Sequence, residues 1–304
     1  MNNYLISIVG PTGIGKTALS LKLASHFNTE IISADSRQFY KEIPIGTAAP
    51  NPEELSIAPH HFIHHKSIKE SYSVGDFEKD AIEKLKLLHS SKAVVVMVGG
   101  SGLYVNAVLK GFDEFPFIAT DIRKQLNSEL ESEGLEVLQR ELKRLDPKSY
   151  ESIALKNPHR VIRALEICRG TGLPYSSFLN KPKAQRDFKT ISIGLKAERD
   201  LMYERINKRV DAMIEKGLLE EVKAVLKHRD YNALNTVGYK ELFHYFDGQY
   251  TLDFAISEIK KNSRRFAKRQ MTWFQKDSLT KWFEYDTDVQ NILEHIKIEM
   301  KKTS

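Results

Sequence analysis

Residues 4–9, Tyr-Leu-Ile-Ser-Ile-Val, form an apolar run broken only by Ser7 and read as a buried strand. Gly10-x-x-x-x-Gly15-Lys16-Thr17 follows without a gap, and Ala18-Leu19-Ser20-Leu21-Lys22-Leu23-Ala24 continues as a helix ending near His26-Phe27-Asn28. Glu30–Ser36 predicts a short buried strand whose carboxyl end delivers Asp35. The segment from Lys41 to Lys69, rich in Pro and His, predicts a long irregular stretch. Val74, Phe77, Ala81, Ile82, Leu85 and Leu88 recur at helical spacing over 74–89. Ala93–Val98 predicts a second fully buried strand, ending in Gly99-Gly100-Ser101-Gly102, with a helix from about Leu103. Continuous apolar strands alternating with helices point to a parallel sheet covered on both faces.

From about Phe112 the pattern changes. Asp113-Glu114-Phe115-Pro116 reads as a linker, Arg123–Leu145 is charged with a helical period, and Asp146-Pro147 ends it. Asn157-Pro158 opens another helix, Arg160 to Arg169, closed by Gly170-Thr171-Gly172. No alternating strand pattern appears between 113 and 185, so this part predicts a helical insertion. Lys181–Lys189 reads as a polar, basic loop, Thr190–Leu195 as a strand that returns to the sheet, and helices fill most of the chain to about residue 276. The predicted division is a core of 1–112 and 190–304, carrying the C-terminal helices, with 113–189 inserted.

Composition narrows the class. With 304 residues, 41% of them hydrophobic and 28% charged, the chain has enough apolar material for a full α/β core and a second small unit. Ala93–Val98, the longest apolar run, is far too short to cross a bilayer. Leu5–Val9 is already strand, with no basic leader or cleavage site before it, so a cytoplasmic location is the default expectation. A single cysteine, Cys168, excludes an internal disulfide and a zinc ribbon. The net charge of +6 is modest, and its distribution matters more than its size.

Strand, glycine turn and helix together make the Gly10–Thr17 match a phosphate site, in a P-loop NTPase-like sheet flanked by helices. Glycines let several N–H groups face one anion, the helix N-terminus adds partial positive charge, and Lys16 adds a mobile cation. The Thr17 hydroxyl is positioned to bind the Mg²⁺ that accompanies a polyphosphate. The second strand ends in glycines and a serine, leaving Asp35 as the acid at a strand tip. Three roles stand open for it: orienting a metal, accepting a proton from a nucleophile above the loop, or capping the following turn. Lys260, Lys261, Arg264, Arg265, Lys268 and Arg269 share one helical side with no acid between them, which suits a polyanion, RNA above all. His159-Arg160-Val161-Ile162-Arg163 is a smaller basic cluster, and Arg205 and Arg209, one turn apart, fit either RNA or the phosphate site. His60, His61, His64 and His65 invite a metal reading, but without cysteine nearby packing or hydrogen bonding near the phosphates is the better one.

Taken together the motifs resemble one family, the tRNA dimethylallyltransferases, also called tRNA isopentenyltransferases. The resemblance runs from Ile6 to about Trp282. It rests on Gly10-Pro11-Thr12-Gly13-Ile14-Gly15-Lys16-Thr17, Asp35-Ser36-Arg37-Gln38-Phe39-Tyr40, Ile45-Gly46-Thr47-Ala48 and Pro59-His60-His61. It continues in Gly99-Gly100-Ser101-Gly102-Leu103-Tyr104, Arg160-x-x-Arg163-Ala164-Leu165-Glu166, Gly238-Tyr239-Lys240-Glu241 and Ala267-Lys268-Arg269-Gln270-x-Thr272-Trp273-Phe274.

The resemblance implies transfer of a dimethylallyl group from its diphosphate to N6 of the adenosine 3′ to the anticodon, in tRNAs reading codons that begin with U. By the same resemblance Gly10 to Thr17 hold the diphosphate, with Mg²⁺ on Thr17, Asp35 is the general base, and Arg209, favoured over Arg205, helps hold the diphosphate. Asp35, Ser36, Arg37, Gln38, Ser101, Arg123, His159, Arg160, Val161, Ile162 and Arg163 fall on tRNA-contacting positions. Lys16, Thr17, Ser101 and Arg209 join Asp35 as the implied catalytic set, Ser101 standing where the family usually has threonine. The expected partners are tRNA and dimethylallyl diphosphate, with no membrane, and a monomer as the working form. Two departures stand out: no C-terminal zinc finger of the eukaryotic kind, and Phe62-Ile63-His64-His65 where an acidic residue is expected. The rivals are prenylation of free adenine nucleotides, an ATP-dependent small-molecule kinase, and a non-catalytic RNA-binding protein.

Overall fold

The structure, a computed structural model, describes residues 2–181 and 185–303. Residues 182–184, inside the loop expected at 181–189, lie outside the described residues. Contacts divide the chain into two units, residues 1–110 with 185–304, and residues 111–184.

The first unit begins with β1 (Tyr4–Val9), α1 (Lys16–Phe27), β2 (Ile31–Ser33), α2 (Pro52–Ile57), β3 (His60–His61), α3 (Val74–His89), β4 (Val94–Val98) and α4 (Gly102–Lys110). The second unit holds α5 (Thr120–Glu133), α6 (Leu135–Leu145), α7 (Pro147–Ser152) and α8 (Pro158–Thr171). The chain then returns through β5 (Lys189–Lys196), α9 (Arg199–Glu215), α10 (Leu218–Val225), α11 (Tyr239–Phe246), α12 (Leu252–Phe274), β6 (Lys281–Glu284) and α13 (Val289–Thr303).

The six strands form one parallel sheet, ordered β3-β2-β4-β1-β5-β6. All six residues of β1 are buried because β4 and β5 flank it and helices cover both faces. Leu5 and Val9 point into one core with Val95, Met97, Phe77 and Phe39. Tyr4, Ile6 and Ile8 point into the other with Val96, Ile193 and, from α13, Ile292 and Ile296. From β1 the chain runs through α1 to one side of the sheet, and β5 later takes the other. The carboxyl end of β1 is therefore the switch point where an open α/β sheet binds ligands.

The α/β fold stands as expected, with differences of detail. The strand expected over 30–36 closes at Ser33, because Asp35 already belongs to a turn, Gln38 N–H donating to Asp35 O at 3.1 Å. The stretch 41–69 is not wholly irregular. It contains α2, started by an Asn51–Glu54 capping box with Pro52 in its first turn, and β3, which pairs with β2. The helical run 123–145 is two helices, broken where Gly134 takes φ 82°. Beyond residue 276, β6 extends the sheet beside β5 and α13 covers it.

In the second unit the helices pack around Leu126, Leu138, Leu142, Val161, Ile162, Ala164 and Leu165. Arg169 on α8 ties it together electrostatically, reaching Glu129 on α5 at 2.7 Å and Glu141 on α6 at 2.5 Å. No helix among the described residues is long and apolar enough to cross a membrane.

Candidate active site

At the end of β1 the chain must turn where another side chain would collide with β5. Gly10 has φ 145°, and a Cβ there would fall 2.6 Å from the Leu195 carbonyl oxygen. Gly13 and Gly15 also have positive φ, so the loop curls and α1 opens at Lys16 with its first N–H groups unpaired by any capping side chain. Lys16 Nζ donates to Pro11 O at 2.7 Å, which folds the ammonium back over the loop. Arg205 on α9 braces the outside, its Nε donating to Gly13 O at 3.0 Å while its guanidinium lies 5.0 Å over the Tyr285 ring.

A cleft of about 1120 Å³ opens over this loop. Lys16, Thr17, Asp35, Ser101, Arg209 and Gln270 all line it. Burial pushes the Lys16 ammonium down to about 7, with Asp35 opposing the shift and Arg209 adding to it. Burial also lowers Arg209, again opposed by Asp35. Two cations and one carboxylate therefore share a poorly hydrated floor with a net positive charge, which suits a polyanionic ligand.

Asp35 fills one of its three open roles visibly: its Oδ1 accepts the Arg37 N–H at 3.1 Å and caps the turn. Its other oxygen makes no hydrogen bond among the described residues, so capping and chemistry are compatible. Ser101 reaches across from β4–α4, its Oγ accepting the Ser36 N–H at 3.0 Å and lying 3.1 Å from Ser36 Oγ. The serine in the usual threonine place thus fixes the Asp35–Ser36 turn directly.

Other expected contact residues are committed inside the protein. Arg37 Nη1 donates to Asn232 O at 2.9 Å and Nη2 to Asn235 O at 3.3 Å, clamping the 232–235 loop. Gln38 is bonded to Ser33 and to the Thr47 and Ala48 carbonyls. In the second unit Arg123 and Arg163 both hold the buried Glu166, at 3.0 and 2.8 Å, and Arg163 also covers the Phe115 ring. Within the expected contact segment 159–163, the side chains of Val161 and Ile162 are core, at 0% and 2% exposure. The surface of that segment is made by His159, Arg160 and half-exposed Arg163.

The basic face of α12 is narrower than its spacing implies. Lys260 pairs with Asp211 at 2.6 Å, Arg264 donates to Asn207 at 2.7 Å, and Lys261 pairs with Glu258 at 2.8 Å. Arg265, Lys268 and Arg269 remain exposed and line a groove with Thr272, Trp273 and Lys276. Trp273 lines both groove and cleft. An exposed aromatic beside unpaired cations is the composition of a single-stranded nucleic-acid surface.

The histidines pack. His61 pairs with Glu30 at 2.7 Å, His60 bonds Ala58 O at 2.8 Å, and His65 meets the Phe39, Phe62 and Tyr72 rings edge-on. Burial lowers the pKa values of His60, His64 and His65. Among the described residues no three His, Cys, Asp or Glu side chains converge as metal ligands. Sequence reading missed Glu221, whose carboxylate accepts the Ile45 and Gly46 N–H groups at 2.7 and 2.8 Å and the Tyr239 hydroxyl at 2.5 Å. Only the neighbouring Ile-Gly-Thr-Ala and Gly-Tyr-Lys-Glu motifs hinted at this clamp.

Comparison with known proteins follows the same lines. A family model described as IPP transferase matches residues 38–277. The chain is 60% identical over 297 residues to the tRNA dimethylallyltransferase of Christiangramia forsetii, covering 98% of each. It is similar to the crystal structure of the full-length tRNA isopentenylpyrophosphate transferase from Bacillus halodurans, with TM-score 0.74 and 40% identity over 99% of this chain and 98% of that one. A eukaryotic dimethylallyltransferase, captured in crystallographic snapshots acting on tRNA, gives TM-score 0.81 and 26% identity over 99% of this chain and 80% of that one. The chain belongs to the IPP transferase family.

Proposed function

We propose that this protein transfers the dimethylallyl group of dimethylallyl diphosphate to N6 of the adenosine 3′ to the anticodon, in tRNAs reading codons that begin with U, and releases pyrophosphate. The observation that carries the reading is one cleft holding a phosphate loop with two buried cations and, across from them, a carboxylate with an unbonded oxygen. The near full-length similarity to a tRNA dimethylallyltransferase supports the choice of reaction.

The chemistry follows from the parts. The loop amides of Gly13 to Thr17 and the cations of Lys16 and Arg209 stabilise charge that grows on the leaving diphosphate. An aromatic amine is a weak nucleophile and an allylic carbon ionises readily, so leaving-group stabilisation lowers the barrier most. Asp35 accepts the N6 proton as the new C–N bond forms. Thr17 lines the cleft, and its hydroxyl bonds no protein group among the described residues. One hydroxyl beside phosphate oxygens and water suits Mg²⁺, which would neutralise diphosphate charge when bound. Arg265, Lys268 and Arg269, with His159 and Arg160 of the second unit, supply cations for the RNA backbone. A monomer suffices, since every catalytic group named comes from one chain.

The test is to incubate the protein with dimethylallyl diphosphate, Mg²⁺ and unmodified tRNA, then digest the RNA for mass spectrometry. One prenyl group on one adenosine, with one pyrophosphate released per transfer, is the expected result. ATP turnover at a comparable rate, or unmodified tRNA after incubation with folded protein, contradicts it.

A further inference from the structure

Gln270 stands in the Arg-Gln-x-Thr-Trp stretch, lines the cleft, and has no part in the reaction as proposed. It is 6% exposed, while Arg269 beside it and Trp273 one turn on face solvent. Its Oε1 accepts the Thr12 N–H at 2.8 Å, and its Nε2 donates to Gly100 O at 2.9 Å. Thr12 belongs to the phosphate loop. Gly100 precedes Ser101, whose hydroxyl holds the Asp35–Ser36 turn. The amide orientation is fixed by its surroundings, since a flip would set two donors and two acceptors against each other.

Little else joins these two loops. The β1–β4 ladder closes with Gly99 N–H donating to Ile8 O at 3.2 Å, and beyond it no hydrogen bond among the described residues links residues 10–17 to 100–102. Gly100 is packed against the amide so closely that a Cβ there would overlap Gln270 Nε2, and it would also lie 3.8 Å from Lys16 Nζ.

We propose that Gln270 is a positioning residue. Its amide is a strut that sets the distance between the loop gripping the leaving diphosphate and the Gly100–Ser101 loop, whose serine holds the turn that presents Asp35 to the acceptor base. The inference rests on the proposed reaction. Displacement requires reacting atoms about 3–3.5 Å apart, and about 1 Å of misplacement costs roughly 100-fold in rate. Losing the strut should therefore slow the chemical step and spare the binding of either substrate.

The experiment compares wild type, Gln270→Leu and Gln270→Glu in steady-state transfer from dimethylallyl diphosphate to an anticodon stem-loop RNA, with thermal melting of each protein. Gln270→Leu removes both bonds at similar volume, so kcat should fall at least about 10-fold while both KM values stay within about threefold. In Gln270→Glu a protonated carboxyl reproduces both bonds, whereas the carboxylate has no proton for Gly100 O. The kcat ratio of Gln270→Glu to wild type should therefore rise as pH falls. A Gln270→Leu enzyme with wild-type kcat, or one changed only in KM, overturns the inference while leaving the reaction intact. Should Gln270→Leu fail to fold, a flat Gln270→Glu ratio across pH overturns it instead. A wild-type protein that transfers nothing defeats the reaction and this inference together.

Discussion

Lys16 is the phosphate-loop residue whose charge the fold alters strongly. Its ammonium titrates at about 7, far below an exposed lysine, because the cleft floor strips its water and Arg209 adds a like charge. A diphosphate bound above it would favour the charged form and raise that value. At pH 8 the free protein holds a largely neutral Lys16, so pyrophosphate binding should take up close to one proton. At pH 6 Lys16 is already charged and uptake from this group should vanish. Calorimetry in buffers of different ionisation enthalpy measures the uptake, and equal uptake at both pH values would contradict the assignment. Lys16, Thr17 and Asp35 were legible because glycine spacing and a strand tip are local signals. The internal partners of Arg37 and Gln38 were not legible, for the opposite reason. The Asn232 and Thr47 carbonyls that engage them are far away in sequence or set by turn geometry, and neither leaves a periodic trace.

Among the elements, α12 divides its labour by side. Lys260 and Arg264 dock on Asp211 and Asn207 of α9, while Arg265, Lys268 and Arg269 stay free of carboxylates. Helical period alone makes the two rows equivalent, and only the position of α9 separates them. The salt dependence of RNA binding reads the difference. Lys268→Ala should reduce the slope of log K against log salt by roughly 0.7–0.9. Lys260→Ala should leave that slope nearly unchanged, because its charge is already matched. Equal slopes for the two variants would mean that the pairing with Asp211 opens when RNA binds. Helix boundaries were legible to within a few residues where caps or glycines mark them, as at Asn157-Pro158 and Gly172. The break at Gly134 was not, since apolar spacing continues across it.

At the scale of the whole molecule, two units with separate cores need not share a response to acid. Asp146 anchors the second one. At 1% exposure its carboxylate accepts from Ser149 N–H and Oγ–H and from Ser176 N–H and Oγ–H. Burial pushes its pKa up, but those four bonds outweigh burial and hold it below the usual range. A depressed carboxyl stabilises the fold above its unfolded value of about 4, and that contribution is lost as pH falls through the folded value. Asp146→Asn should therefore loosen residues 120–171 by about 1–3 kcal/mol at pH 7, and by progressively less as pH falls through the folded value. Hydrogen exchange resolved by peptide measures this, and an undiminished difference at low pH would refute the charge-based reading. The α/β core was legible through its unbroken apolar strands. β6 and α13 were not, because Lys281–Glu284 is a short edge strand recognised only by its pairing with β5.

The sharpest measurement is a crystal structure of Asp35→Asn with an anticodon stem-loop and a non-ionising analogue of dimethylallyl diphosphate. It should show the diphosphate on the Gly13–Thr17 amides and residue 35 about 3 Å from N6 of an extruded adenosine. An adenosine whose amino group lies beyond reach of residue 35, or a nucleoside triphosphate as the ligand that fills the loop, would contradict the proposed reaction.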